Sequence, residues 1–194
     1  VPRPFLGDAS TRATLAVISE VKRRSPSLGA INEALDPVTL AARYAGGGAA
    51  AISVLTEEAH FGGSIEDMAA VASAVPLPVL RKDFILSESQ IIEARARGAA
   101  AVLLIVRALP GRQLDDLLAA SARWGLAALV EVHTRAELDT AIAAGALHIG
   151  VNSRDLDTLL IDTDRAMELV ASVPADRIAV AESGMSSLDD VRRA

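Results

Sequence analysis

The sequence predicts an α/β fold in which strands and helices alternate along the chain. Half of the residues are hydrophobic (51%) but only 3% are aromatic, a composition that suits helices packed tightly on a sheet. Short apolar runs of strand length recur, and each is followed by a helix-like pattern. None of these runs alternates cleanly between apolar and polar residues, so we expect parallel strands that are buried on both faces.

Seven runs are predicted to be strands: Leu15–Val21, Ala50–Leu55, Pro78–Leu80, Ala101–Val106, Ala127–Val132, His148–Val151 and Ile178–Ala181. The segments between them carry helix start signals, namely an N-cap before a proline at Asp36-Pro37 and capping-box patterns that begin at Ser64, Ser87 and Thr134. Glycines that typically stop helices follow four of these segments, at Gly46, Gly98, Gly125 and Gly145.

About seven strand–helix units with no linker between them predict a single (β/α) barrel domain over residues 1–194. A dinucleotide-binding fold is the alternative, but Gly46-Gly47-Gly48 closes a helix and precedes a strand, the reverse of a phosphate-binding glycine turn. The α/β class is therefore expected to be a (β/α)8 TIM barrel. Only a helix start follows the seventh strand before Ala194, so the chain is expected to be C-terminally incomplete, lacking the eighth βα unit.

Composition excludes several classes of partner. A net charge of −6, no stripe of Lys and Arg, and few aromatic residues argue against nucleic acid. The longest apolar run, Gly98 to Val106, is too short to span a bilayer. With no cysteine the chain has no disulfides or thiolate nucleophile, which favours a reducing compartment. We expect a cytoplasmic protein that binds neither nucleic acid nor membrane; the sequence gives no indication of oligomeric state.

Charged or amide side chains end six of the apolar runs. In a ring of parallel strands the C-terminal ends meet at one mouth, so these groups are expected to form one pocket. Alternation puts Glu20 and Lys22 on one face of the first strand, and Lys82 with Phe84 on one face of the third. The polar ends are Glu20-Val21-Lys22, Arg81-Lys82-Asp83, Arg107, Glu131, Asn152-Ser153-Arg154 and Glu182-Ser183.

These side chains predict general acid–base chemistry without a cofactor. The carboxylates Glu20, Glu131 and Glu182 have no His or Asp at ligand spacing and share the pocket with cations, so we expect no metal. A Glu beside a Lys is suited to proton transfer near neutral pH. Schiff-base chemistry at Lys22 or Lys82 uses the same residues, and their spacing does not separate the two.

Two loops and one histidine give weaker indications of ligand binding. Ser183-Gly184 begins the turn after the seventh strand, where barrel enzymes often bind phosphate, although Ser and Gly also suit an ordinary turn. Ser25-Pro26-Ser27, after the first strand, is similarly ambiguous. His133 lies just past Glu131, and its case for touching a ligand is weak.

Five segments together resemble the indole-3-glycerol phosphate synthase family of tryptophan biosynthesis. They occur in the family's order over nearly the whole chain, and the first two are specific to it among phosphate-binding barrels. The resemblance implies ring closure of 1-(2-carboxyphenylamino)-1-deoxyribulose 5-phosphate to indole-3-glycerol phosphate, a carboxy-lyase reaction that releases CO2 and water. The segments are Ile18–Ser27, Leu80–Ile85, Leu129–His133, Ile149–Leu156 and Ala181–Met185.

The resemblance also implies roles for individual residues. Lys82 looks like the general acid that protonates the substrate carbonyl, with Glu131 and Glu20 as partners in later proton transfers, and Lys22 as a cation that holds the substrate carboxylate or phosphate. The implied substrate-binding residues are Asn152, Arg154 and Glu182 along the substrate, Ser183 and Gly184 at the phosphate, Ser25 in the loop after the first strand, and Pro26, Phe61, Phe84, Leu103 and Leu156 around the aromatic ring.

The chain departs from the family pattern in three places. We expect the chain to lack most of the N-terminal helical extension before Leu15 and the eighth strand with its Gly-Ser turn, and Leu28 stands where many relatives carry Lys. Two other interpretations therefore remain: another phosphosugar barrel enzyme, such as phosphoribosylanthranilate isomerase, or a non-catalytic barrel fragment.

Overall fold

The computed structural model describes residues 4–6, 15–155, 158–185 and 187–193. Strands and helices alternate through this part of the chain, as predicted. The strands are β1 (Ile18–Val21), β2 (Arg24–Ser25), β3 (Gly29–Ala30), β4 (Ala51–Leu55), β5 (Val79–Lys82), β6 (Ala101–Ile105), β7 (Ala127–Val132), β8 (His148–Asn152) and β9 (Ile178–Glu182). The helices are α1 (Pro37–Gly46), α2 (Ile65–Ala74), α3 (Glu88–Ala96), α4 (Gln113–Arg123), α5 (Arg135–Ala143), α6 (Thr163–Val170) and α7 (Leu188–Arg193).

Seven of the strands form one sheet, in the order β1-β4-β5-β6-β7-β8-β9. Strands that neighbour one another in this order are also consecutive main strands along the chain, with a helix in each crossover, which is the topology of the (β/α) barrel class. The predicted fold class is thus confirmed. Within the described residues, no helix is long and apolar enough to cross a membrane.

The chain divides into two compact units, each of which carries its own part of the sheet. In the first unit, residues 1–103 and 119–127, β1 pairs with β4 in register Glu20 with Ser53, and β4 pairs with β5 in register Ser53 with Leu80. Every residue of β4 is buried. Apolar side chains of α2 and α3 that are fully buried, Met68 and Ile91 among them, belong to the core of this unit.

The second unit comprises residues 104–118 and 128–194. Here β7 pairs with β8 in register Glu131 with Gly150, and β8 pairs with β9 in register Gly150 with Val180 and Asn152 with Glu182. Leu138 of α5 is fully buried in the core of this unit.

The predicted helix caps are formed by side-chain oxygens at the first turn. Asp36 accepts a hydrogen bond from Thr39 N at 2.8 Å, Ser64 from Asp67 N at 3.0 Å, and Thr134 from Glu137 N at 3.2 Å. Each bond satisfies a backbone donor that has no partner within the helix.

The predicted stop at Gly46 is confirmed, since Gly46 is the last residue of α1. The left-handed residue comes two positions later, at Gly48, with φ of 89°. Because a glycine run offers several residues that adopt positive φ at little cost, the sequence does not say which of them takes this conformation.

The first strand is shorter and the outer strands are less buried than predicted. β1 begins at Ile18, and Leu15 and Val17 before it are 59% and 50% exposed. No residue of β9 is fully buried, because in the described part of the sheet this strand pairs on one side alone.

A hairpin of two-residue strands was not predicted. β2 pairs antiparallel with β3, which places Ser25 opposite Gly29, and the turn between them contains Pro26. The sequence predicts a loop for this segment, since two-residue strands are too short to show periodicity.

Candidate active site

In the first unit, the register of the sheet places polar residues on one face. Residues paired in parallel strands point to the same side, so Glu20, Ser53 and Leu80 share a face, and alternation along the strands adds residues two positions further on. Lys82, the last residue of β5 and paired with Leu55, therefore shares this face, as does the buried Leu103 of β6.

Glu20 and Lys22 form the ion pair that their spacing predicts. Lys22 Nζ lies 2.5 Å from Glu20 Oε1, and the two side chains are 31% and 33% exposed. Lys22 stands one residue beyond the end of β1. The pair is thus a close ion pair at the C-terminal end of the strand, with about a third of each side chain exposed.

Arg81, expected in the pocket with Lys82, lies on the opposite face. Its guanidinium is buried and donates to Glu93 at 2.7 Å, to the carbonyl of Gln90 at 2.9 Å and to Asp83 at 3.1 Å. Asp83 also accepts a hydrogen bond from Thr56 at 2.6 Å. Successive residues of a strand point to opposite faces, so Arg81 points away from the face of Lys82 and towards α3. There the Arg81 side chain fixes the end of β5.

Phe84 also differs from its predicted position. β5 ends at Lys82, so Phe84 lies beyond the strand, and it is 42% exposed. Its backbone N–H donates to Asp83 and its carbonyl accepts from Gln90. These two bonds fix the backbone at this position while the ring remains accessible.

The turn that carries Phe61 is organised by a carboxylate. Glu57 accepts hydrogen bonds from the backbone N–H groups of Ala59, His60 and Phe61 at 3.1, 2.7 and 3.1 Å. Burial on its own raises the pKa of Glu57, but the bonds from His60, Phe61 and Ala59 outweigh it, and the net pKa is lowered. The loop also needs glycine at position 63, since a side chain there would collide with the carbonyl of Leu55.

The loop after β1 carries Ser25 and Pro26. Ser25 is 8% exposed and accepts a hydrogen bond from Leu28 N at 3.3 Å, whereas Pro26 and Leu28 are exposed. The serine hydroxyl therefore holds the turn of the hairpin.

In the second unit, Glu131 is the most buried of the candidate carboxylates. Its side chain is 2% exposed, and its Oε1 accepts a hydrogen bond from Asn152 Nδ2 at 3.1 Å. Register and alternation put Glu131, Asn152 and Glu182 on one face of the sheet. The amide of Asn152 therefore orients this buried carboxylate.

Asn152 joins three parts of this unit. While Nδ2 donates to Glu131, Oδ1 accepts from the backbone of Arg154 at 3.0 Å and from Ser183 Oγ at 2.8 Å. The amide is thereby fixed in one orientation, with its donor end towards the carboxylate.

Gly150 provides the space for the carboxylate of Glu182. An added Cβ would collide with Glu182 Oε1, would lie 3.1 Å from its Cδ, and would lie 3.4 Å from Leu129 Cδ1. The carboxylate thus lies directly over the glycine backbone, on the row of the sheet that carries Glu131.

The turn after β9 has a constrained backbone. Ser183 and Gly184 have φ of 65° and 71°, a conformation that is costly for serine and easy for glycine. A Cβ at Gly184 would lie 3.0 Å from Ile161 Cγ2 and 3.2 Å from Ser153 Oγ. The Ser183 hydroxyl donates to Asn152, which compensates for the strained backbone.

Arg154 is occupied within its own loop. Its Nη1 donates to the carbonyl of Leu159 at 2.9 Å, and the residue forms a bridge to Ile161. Leu156, expected beside the aromatic ring of the substrate, lies outside the described residues.

Three residues that bear on the site were not predicted from the sequence. Ser53 is 4% exposed and shares a row of the sheet with Glu20, and its hydroxyl has no hydrogen-bond partner within the described residues; a lone serine in an apolar strand is its signal. Gly150 gave no signal, because its neighbour Glu182 comes from another strand. Arg23 pairs with Asp67 of α2 and donates to the carbonyl of Leu35.

Metal ligation finds no support in the arrangement of side chains. Across the described ranges, no group of three or more His, Asp or Glu residues is placed to hold a metal ion. The first unit offers a carboxylate and two lysines, and the second offers carboxylates and an amide; lysines bind anions, and lysines and carboxylates both transfer protons.

Comparisons with known proteins agree on a family. The family model described as indole-3-glycerol phosphate synthase matches residues 6–194. An indole-3-glycerol phosphate synthase of a Nocardioides species is 54% identical over 178 residues, which is 92% of this chain and 68% of that protein. Another, of Chlorobium limicola, is 50% identical over 192 residues, 98% of this chain and 74% of that protein.

A solved structure shows the same fold at low identity. The N-acetylmannosamine-6-phosphate 2-epimerase of Clostridium perfringens is similar with a TM-score of 0.69 at 14% identity, over 95% of this chain and 82% of that one. This likeness shows the fold alone. The family is shown by the relatives above, which are about half identical to this chain over nearly all of its length. The chain belongs to the indole-3-glycerol phosphate synthase family.

Proposed function

We propose that this chain is an indole-3-glycerol phosphate synthase that closes the indole ring of 1-(2-carboxyphenylamino)-1-deoxyribulose 5-phosphate with loss of CO2 and water. Besides family membership, one observation carries the proposal. The second unit holds a carboxylate, Glu131, that is 2% exposed and is oriented by Asn152. Burying a carboxylate is unfavourable, and buried carboxylates are common among the groups that transfer protons in active sites.

The reaction needs an acid first. The aromatic carbon that bears the carboxylate attacks the ketone carbon of the sugar phosphate, and the ketone oxygen takes up a proton to become a hydroxyl. Lys82 is proposed as this donor, because it ends β5 on the same face of the sheet as Glu20. Release of CO2 then returns the bonding electrons to the ring.

Loss of water completes the indole and needs both an acid and a base. The hydroxyl leaves as water after a second protonation, and a proton leaves the adjacent carbon as the double bond forms. Glu131 and Glu20 are proposed for these transfers. Glu20 lies 2.5 Å from the ammonium group of Lys22, and Lys22 is proposed to bind the carboxylate or phosphate of the substrate.

The remaining candidate residues are proposed to bind and shape the substrate. Because Asn152 and Ser183 are hydrogen-bonded to each other, binding at one of them is expected to affect the other. The proposed binding residues are Asn152, Arg154 and Glu182 along the substrate, Ser183 and Gly184 at the phosphate, Ser25 in the hairpin, and Pro26, Phe61, Phe84, Leu103 and Leu156 around the aromatic ring.

The test is turnover of the carboxyphenylamino-deoxyribulose phosphate, followed by the fluorescence of the indole product. Lys82→Ala is expected to lower kcat by about 10²- to 10⁴-fold, the usual effect of losing a positioned acid, with KM within tenfold of wild type. Arg112→Ala removes an exposed cation from a loop and serves as the control with unchanged kcat. Near-normal turnover by Lys82→Ala would remove Lys82 from the role of acid.

Borohydride reduction during turnover distinguishes acid–base catalysis by Lys82 from Schiff-base catalysis by the same residue. A Schiff base would be trapped as a stable amine and detected by mass spectrometry as substrate-derived mass on the Lys82 peptide. We expect no such adduct, and its appearance would favour covalent catalysis.

A further inference from the structure

His133 places an imidazole between two carboxylates in the second unit. Its Nε2 lies 3.4 Å from Glu131 Oε1, and its Nδ1 lies 3.3 Å from Glu137 Oε2. The three side chains are 3%, 2% and 14% exposed. Little water reaches them, so their charges act on one another at close range.

Hydrogen bonding around Glu137 assigns the proton on Nδ1. Glu137 accepts the backbone N–H of His133 at 2.6 Å and faces Arg107 Nε at 3.4 Å, so it is a carboxylate that accepts. Nδ1 must therefore carry a hydrogen towards it, since two lone pairs would otherwise meet.

The same reasoning applies on the Glu131 side. Oε1 of Glu131 already accepts from Asn152, and a bare Nε2 against this oxygen would be repulsive in a buried site. Nε2 has no aligned hydrogen bond within the described residues, and its contact with Glu131 is an ion-pair distance. A proton on Nε2 turns this contact into an attraction between an imidazolium ion and a carboxylate.

The ring is also held in place from its backbone. The carbonyl of His133 accepts a hydrogen bond from Arg165 Nη2 at 2.7 Å. Among the described residues, charged groups face His133 from four elements: Glu131 on β7, Glu137 on α5, Arg165 on α6, and Arg107, through Glu137, from the turn after β6. Glu131 itself shares its row of the sheet with the carboxylate of Glu182 on β9.

We propose that His133 is a positioning residue for Glu131, one that supplies the neighbouring positive charge and thereby sets the pH at which this carboxylate is ionised. The inference rests on the proposed function, in which Glu131 transfers protons. His133 acts through Glu131 and is assigned no contact with substrate.

Two substitutions test the two ring nitrogens of His133 separately. His133→Asn keeps an amide nitrogen where Nδ1 stands, so the bond to Glu137 can persist, while the group that faces Glu131 is deleted. His133→Gln keeps a donor where Nε2 stands but carries no charge. Arg135→Gln removes a cation from the same neighbourhood of α5 that is 67% exposed and paired with Asp139, and is the matched control.

The readout is the pH profile of kcat/KM, compared with that of Glu131→Gln to identify the limb that belongs to Glu131. Loss of a neighbouring cation favours the protonated acid, so the midpoint of that limb is expected to rise by about one pH unit or more in His133→Asn. His133→Gln should shift in the same direction by less, and Arg135→Gln should not shift. The direction is the same whether Glu131 serves as acid or as base.

A purely structural role predicts a different result. His133→Asn would then keep the wild-type midpoint, and that outcome overturns the proposal. Should His133→Asn fail to fold, His133→Gln decides by the same measurement, and loss of folding in both makes His133 a scaffold residue, which also overturns it. A wild-type chain without turnover, or Glu131→Gln with a wild-type profile, instead refutes the proposed function.

Discussion

Gly150→Ala is a substitution of one methyl group that tests how closely Glu182 must be placed. The added Cβ collides with Glu182 Oε1 and lies 3.1 Å from its Cδ, whereas ordinary contacts begin at 3.4 Å. Leu129 Cδ1, at 3.4 Å on another side, limits how far the backbone can shift. The carboxylate therefore has to move, by roughly 1 Å, and a misplacement of that size can cost about 10²-fold in rate.

Stability and activity should respond differently to this change. Overpacking at a sheet position costs typically about 1–3 kcal/mol, which thermal unfolding will detect, and the protein should remain folded at 25 °C. We expect kcat/KM for indole-3-glycerol phosphate formation to fall about 100-fold. Ala179→Gly, at an exposed position of β9, controls for a general change in the sheet. Wild-type kcat/KM in a folded Gly150→Ala protein would refute the close placement of Glu182.

Two further predictions follow from the hydrogen bonds of the site. Asn152→Ala removes the donor to Glu131 at 3.1 Å, and kcat should fall by about 10²- to 10³-fold, as for other preorganised donors; a variant with half of the wild-type kcat would contradict this. Glu57→Gln weakens the turn that carries Phe61. The lowered pKa of Glu57 means that its stabilisation of the turn is present above the ordinary value of 4.5 and is lost as pH falls through the lower folded value. The protection factors of the amides of residues 59–61, which compare each observed exchange rate with the intrinsic rate at the same pH, should therefore fall at acid pH in the wild-type chain and should already be low at neutral pH in Glu57→Gln; equal protection in both proteins at neutral pH would count against the role of Glu57.

Much of the fold was predictable because its signal is local. A buried parallel strand is a short apolar run, and the range predicted for β7 agrees with the structure at both ends. The contact between Glu20 and Lys22 was also predictable, since residues two apart in a strand point the same way. The substrate roles of individual residues stay predictions, since they concern a bound molecule.

What the sequence did not reveal depends on contacts between distant segments. The polar triplet at the end of β5 does not say which member faces the site, and the register assigns that face to Lys82 and the other to Arg81. Glu137 was predicted to close a capping box at Thr134. Its carboxylate instead accepts a hydrogen bond from the backbone N–H of His133. This bond places Glu137 beside His133, which in turn contacts Glu131.

The Lys22–Glu20 pair and the position of Lys82 have a practical consequence for chemical labelling. These are the chain's two lysines, and its other 17 cationic side chains are arginines. Reagents that modify ε-amino groups therefore address the proposed site with no background from other side chains. Peptide mass spectrometry would report modification of each lysine separately, and the protection that a substrate analogue gives to one or the other would map where its charged groups bind.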